Sequence, residues 1–162
     1  MDTLIIYDSV FGNTKKIAEI MGETLKEKGQ TSVLHVNDVT PAKLTEVDLI
    51  IIGSPTRAFN PTKSIRQLLK SLPREGLKGK ELAVFDTRMC IEDSNSRFLE
   101  LLVRILGYAA EKIETWSVKK GALLILKHEG FFVHDTEGPL REGEEERAAA
   151  WVRLIPVHNE RI

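Results

Sequence analysis

The chain has 162 residues, of which 42% are hydrophobic and 29% charged, and its formal net charge is −1. That length suits one domain able to bury roughly two thirds of its unfolded surface, and the composition excludes disorder and a membrane-embedded class. The bland charge offers no basic field for nucleic acid, and a single cysteine, Cys90, excludes an internal disulfide framework or a thiolate metal cage. The first residues enter an apolar pattern without a charged leader or cleavage site, and no apolar run is long enough to span a bilayer. Cytoplasmic residence and no membrane partner are the expectation.

Apolar runs bounded by turn residues alternate with helical stripes, the pattern of βαβ units around a parallel sheet buried on both faces. Residues 3–7 (TLIIY) read as a first strand, followed by a helix capped by Asn13 or Thr14, striped by Ile17, Met21 and Leu25, and stopped by Gly29. Residues 31–36 alternate as a second strand, and 47–52 (VDLIII) form an apolar third strand ended by Gly53-Ser54-Pro55. Ile65, Leu68, Leu69 and Leu72 stripe the next helix, and 81–85 (ELAVF) make a fourth strand. Residues 91–106 then interrupt the rhythm with an acidic turn and an apolar run from Phe98 to Leu106. Beyond them, Ala109, Ile113 and Trp116 mark a helix ended by Gly121, and 122–126 (ALLIL) supply a fifth strand, open to extension by 131–133. Ala148, Trp151, Val152 and Ile155 stripe a last helix. The sum is one α/β domain over 1–162, with five strands, five helices and one insertion at about 91–106.

The junction Tyr7-Asp8-Ser9-Val10-Phe11-Gly12-Asn13-Thr14 runs from the first strand into the first helix. Orphan amides at a helix N-terminus attract anions, Gly12 lets backbone approach a phosphate closely, and Ser9 and Thr14 add hydroxyls. The order of residues is neither a Walker loop nor a dinucleotide fingerprint. Taken alone, the segment reads equally as an anion site or as a capped helix start with a turn glycine.

Ile5-Ile6-Tyr7-x-Ser9-x-x-Gly12-x-Thr14-x-x-x-Ala18 resembles the flavodoxin family signature at every one of these positions, with Met21 at the closing aliphatic one. The resemblance implies a three-layer α/β sandwich with strand order 2-1-3-4-5, helices on both faces, and FMN as cofactor. It assigns Ser9, Val10, Phe11, Gly12, Asn13 and Thr14 to the FMN phosphate and leaves Lys15 and Lys16 on a solvated helix face. In flavodoxins themselves FMN is known to lie at the switch point between the first and third strands. The stretch Ser54-Pro55-Thr56-Arg57-Ala58-Phe59-Asn60 after Gly53 resembles the loop that contacts the isoalloxazine ring, with Phe59 a candidate cover for one ring face. Asp86-Thr87-Arg88 and Gly107-Tyr108 occupy the remaining family positions around the ring. Arg88 lies either beside the pyrimidine edge, where it would stabilise the anionic reduced flavin, or toward solvent; Tyr108 is a candidate second stacking ring. Residues 130–133 and 136–140 resemble the C-terminal part of small flavodoxin-domain proteins and read as structural.

Three departures stand beside this likeness. No glycine lies between Ser54 and Thr62, where the family commonly turns a glycine peptide toward the one-electron-reduced flavin; the acidic surface usual for docking basic partners is missing; and residues 91–106 have no counterpart in the shortest members. The family therefore implies an electron carrier serving redox partner proteins, with an NAD(P)H-dependent FMN or quinone reductase as the alternative. No residue is assigned a catalytic role and no metal is expected, since His35, His128, His134 and His158 lack ligand spacing and Cys90 has no histidine partner. A phosphate-accepting receiver domain is excluded because Gly53 stands where its aspartate would end the third strand. The apolar residues between Phe98 and Leu106 cover too much of a helix for one buried stripe. They form either a core helix folded back on the domain or an interface, most simply a homodimer.

Overall fold

Residues 1–156 are described by the computed structural model. Four parallel strands carry the sheet: β1 (Thr3–Tyr7), β2 (Thr31–His35), β3 (Leu49–Pro55) and β4 (Glu81–Met89). The order is β2-β1-β3-β4-β5, with Leu123–Leu124 as β5, while β6 (Glu129–Val133) pairs with the later half of β4. This is the flavodoxin-like order expected from the sequence.

Side chains alternate across the strands, so each apolar run feeds two cores. Leu4, Ile6, Ile50, Ile52, Leu82 and Val84 pack under α2 (Pro41–Thr45), α3 (Lys63–Ser71) and α5 (Ala109–Lys119). Ile5, Leu49, Ile51, Ala83 and Phe85 meet α1 (Asn13–Leu25) and α6 (Glu144–Arg153) on the opposite face. Each fully buried Leu or Ile contributes about 1.5–3 kcal/mol. A Cβ at Gly53 would overlap the Phe85 ring, which explains the glycine at the point where β3 crosses the second core.

The expected elements differ from the observed ones in five places. β3 continues through Gly53-Ser54-Pro55 because β4 runs on to Met89 and supplies partners, Pro55 opposite Thr87. Asp86, Thr87 and Arg88 consequently lie within a strand and not in a loop after it. The fifth strand is split, since the chain leaves β4 after Leu124 and returns at Glu129. Helix α2 was not foreseen, although Thr40 caps it and Pro41 occupies its first turn. Neither Asn13 nor Thr14 caps α1; Gly12, at φ 93°, is its N-cap and brings no side-chain acceptor.

The insertion forms a short 3-10 turn, Ile91–Ser94, and then α4 (Arg97–Leu106), capped by the Ser96 hydroxyl. No residue of α4 is buried, which removes the reading of this segment as a core helix. Phe98, Leu101 and Ile105 are 70%, 52% and 67% exposed and share its outer side, while Leu99, Leu102 and Val103 turn toward the domain. No helix of the described residues is long and apolar enough to cross a membrane. No cluster of three metal-ligating side chains occurs among the described residues, and His158 lies outside them.

Candidate functional site

The C-terminal ends of β1, β3 and β4 open on one edge of the sheet, where α3, capped by its own Thr62 hydroxyl, and the helices α1 and α5 begin. The N-termini of α1 and α5 are treated differently. At α5, the Asp86 carboxylate accepts from Ala110 N at 2.9 Å and the Thr56 hydroxyl accepts from Ala109 N at 3.0 Å, so side chains from β4 and the end of β3 cap the helix from outside it. At α1, no side chain takes the first amides. The loop before α1 is braced from below: Asp8 Oδ1 accepts from Ser9 N at 2.8 Å, and Ser9 Oγ accepts from Gly12 N at 3.0 Å. A helix start with free amides, an unopposed dipole and a left-handed Gly12 is an anion site.

Thr14 is buried, and its hydroxyl meets that of Thr87 at 2.7 Å, tying the start of α1 to β4. Asp86 is fully buried beneath this contact and collects donors: Arg88 Nε at 2.5 Å and Nη2 at 2.8 Å, and Thr56 Oγ1 at 3.1 Å, besides Ala110 N. Burial pushes the Asp86 carboxyl above its ordinary range, against the opposing pull of the Arg88 charge and the donated hydrogen bonds. Arg88 is only 12% exposed in its side chain and lies 3.5 Å from the centroid of the Tyr108 ring. It is therefore neither solvent-facing nor a free charge. Burial likewise raises the Tyr108 phenol, with Arg88 opposing.

A partly open cleft of about 80 Å³ lies at the centre of this edge. Ser9, Val10, Phe11, Asn13 and Thr14 wall it on one side, Pro55, Thr56 and Arg57 on the second, and Thr87 and Arg88 on the third. Ten of the residues expected from the sequence thus converge on one cleft, with Gly12 in the same loop. The others stand outside its lining. Ser54 Oγ accepts from Thr62 N and donates to Pro55 O, which shapes the loop. Ala58, Phe59 and Asn60 form a tight turn closed by two backbone hydrogen bonds between Arg57 and Asn60 and held by Lys112 Nζ on Phe59 O. Phe11, not Phe59, offers an aromatic wall, with the Arg57 guanidinium 5.5 Å from its ring centroid. Asp86 lies under the cleft, Gly107 and Tyr108 beside it. Met89, Val133 and Thr136 also line it and were missed; Thr136 Oγ1 reaches Met89 Sδ at 3.7 Å. Met89 lies there because β4 runs on past Arg88, and the pairing of β6 along β4 brings Val133 and the following Thr136 beside it.

Residues 4–125 match the sequence profile of the flavodoxin domain. The chain belongs to the flavodoxin-domain family. A flavodoxin of Aquifex aeolicus is 40% identical over 55 residues, covering 33% of this chain and 30% of that protein. An uncharacterised protein of Methanocaldococcus jannaschii is 32% identical over 80 residues, covering 46% of this chain and 20% of its own. The matched part thus spans less than a third of either curated relative. The fold is that of oxidised flavodoxin 1 from Bacillus cereus, with a TM-score of 0.73 at 16% identity, covering 99% of this chain and all of that one. FMN is the cofactor of this family, and the cleft suits it: the uncapped start of α1 fits a phosphate, and the apolar and hydroxyl-bearing walls fit the edge of a flat ring.

Proposed function

We propose that this chain is an FMN-binding electron carrier of the cytoplasm, acting as one flavodoxin-like domain and passing reducing equivalents between redox partner proteins. The observation that carries this reading is the contrast between the two helix starts at the switch point, α5 closed by Asp86 and Thr56 and α1 left open beside the cleft. Bound there, FMN supplies reversible transfer of one or two electrons. Ser9, Gly12, Asn13 and Thr14 hold the phosphate through hydroxyls and backbone amides. Pro55–Arg57 and Thr87–Arg88 flank the ring, and Asp86 keeps Arg88 in place. Titrating the purified protein with FMN tests this: saturable binding with a rise in thermal stability supports it, and a protein that FMN neither colours nor stabilises refutes it.

A second reading, an NAD(P)H-dependent reductase of a quinone or other small acceptor, is favoured by one feature. An open groove of about 810 Å³ lies under α4 beside the cleft, floored by Ile91, Val103, Tyr108 and Phe132. Direct bleaching of the bound flavin by NADH or NADPH would select this reading, and bleaching only through a reductase protein would select the carrier.

The exposed stripe of α4 belongs to the same proposal as a homodimer contact. An antiparallel pairing of two α4 helices about Leu101–Leu102 sets Phe98 opposite Ile105, so the exposed apolar pattern complements itself across a twofold axis.

A further inference from the structure

Away from the cleft, a cavity of about 350 Å³ lies between α3 and α5. It is formed by the later turns of both helices, whereas Thr62 and Ala109, at their starts, adjoin the cleft loops. The two sites therefore occupy opposite ends of the sheet. Leu69 and the Trp116 indole give the cavity its apolar wall, and Arg66, Lys70, Lys119 and Lys120 supply all its other lining. No carboxylate lines it, and among the described residues none of these four cations enters an ion pair. The surroundings share this sign: residues 63–80 and 109–120 carry nine Lys and Arg against three Glu, in a chain whose net charge is −1.

Helix C-termini attract cations by themselves, which accounts for Lys70 and Lys119 in the last turns of α3 and α5. Lys120 Nζ donates to Leu72 O in the same way. Arg66 is different. It sits in the middle of α3, its Nε is buried, and no acceptor meets it. A cation in the middle of a helix is not accounted for by the helix dipole, and a planar guanidinium lining the same cavity as an indole suits an aromatic anion. Four separate cations exceed what one carboxylate can engage, while a phosphate chain presents many oxygens. We infer that this cavity binds a planar aromatic anion bearing phosphate, of the nucleotide class. The inference is independent of what the cleft holds.

The test is a titration of the full chain with ADP, followed by tryptophan fluorescence, with Trp116→Phe separating Trp116 from Trp151. Saturable quenching that is lost in Trp116→Phe and weakens steeply with salt is the expected result. Arg66→Gln should raise the Kd roughly tenfold or more, and Lys63→Gln, on the same helix but outside the cavity, should leave it unchanged. Absence of saturable quenching, or full affinity in Arg66→Gln, would each overturn the site. Equal affinity for inorganic pyrophosphate would overturn its aromatic part.

Discussion

The hydroxyls of Thr14 and Thr87, 73 positions apart in sequence, meet at 2.7 Å inside the domain and join the start of α1 to β4 at the floor of the cleft. This bond fixes the angle at which the uncapped helix faces the cleft, so Thr14 acts both on the fold and on the phosphate loop. Thr14→Ala is expected to weaken FMN binding about tenfold, the effect of losing roughly 1–1.5 kcal/mol. Lys15 is exposed and pairs with Glu19 on the solvated side of α1, so Lys15→Ala should change affinity less than about twofold. A fluorescence titration of both variants checks the order.

Asp86 gives the protein's stability a pH dependence of its own. Its carboxyl is pushed above the ordinary aspartate value of 3.8, chiefly by burial. Below that value the group is protonated in both folded and unfolded chains and contributes no pH dependence. As pH rises past about 4, the unfolded chain ionises first, so stability from this group falls until the folded carboxyl has ionised as well. Asp86→Asn abolishes the titration but breaks the buried pair with Arg88, at a cost of about 3–5 kcal/mol. The Tm advantage of the wild type over Asp86→Asn should therefore shrink between pH 4 and neutrality, as read by calorimetry at a series of pH values.

The turn Arg57–Asn60 holds two non-glycine residues in left-handed backbone, Ala58 at φ 44° and Phe59 at φ 64°. Such conformations cost about 1–2 kcal/mol each for residues with a Cβ. Ala58 is exposed, so Ala58→Gly removes the strain and loses only chain entropy, for a net gain of about 0.5–1 kcal/mol. Urea unfolding of the two proteins measures this. The same strained turn offers no peptide that rotates at low cost, and stepwise reduction of the FMN-loaded wild type should pass through little of the blue one-electron form. A strong blue intermediate would contradict that expectation and favour the one-electron carrier.

For α4, the outward residues define the test. Leu101→Glu with Ile105→Glu should give a folded monomer, detected by light scattering, from a wild type that is dimeric. Leu102 faces the domain, so Leu102→Glu should instead lower stability. A wild type already monomeric at high concentration removes the dimer.

The strands themselves and the phosphate loop were legible in the sequence because both depend on local chemistry, whereas the order of the strands came with the family resemblance. Runs such as Leu49–Ile52 are apolar throughout only if both faces are covered, and the signature from Ile5 to Ala18 spells a strand, a left-handed glycine and a helix start within 14 residues. What the sequence left open was decided by contacts between distant segments. Phe11 replaced Phe59 as the aromatic wall because a two-residue turn folds Phe59 back toward Lys112. Arg88 was fixed neither at the ring edge nor in solvent but between Asp86 and Tyr108. Asp86 itself carries no local mark of being the cap of α5, whose first amide it receives lies 24 residues further on. Capping by a residue of the same helix is written in adjacent positions; capping across the sheet exists only once β4 and α5 have packed, and that packing leaves α1 as the open helix start at the cleft.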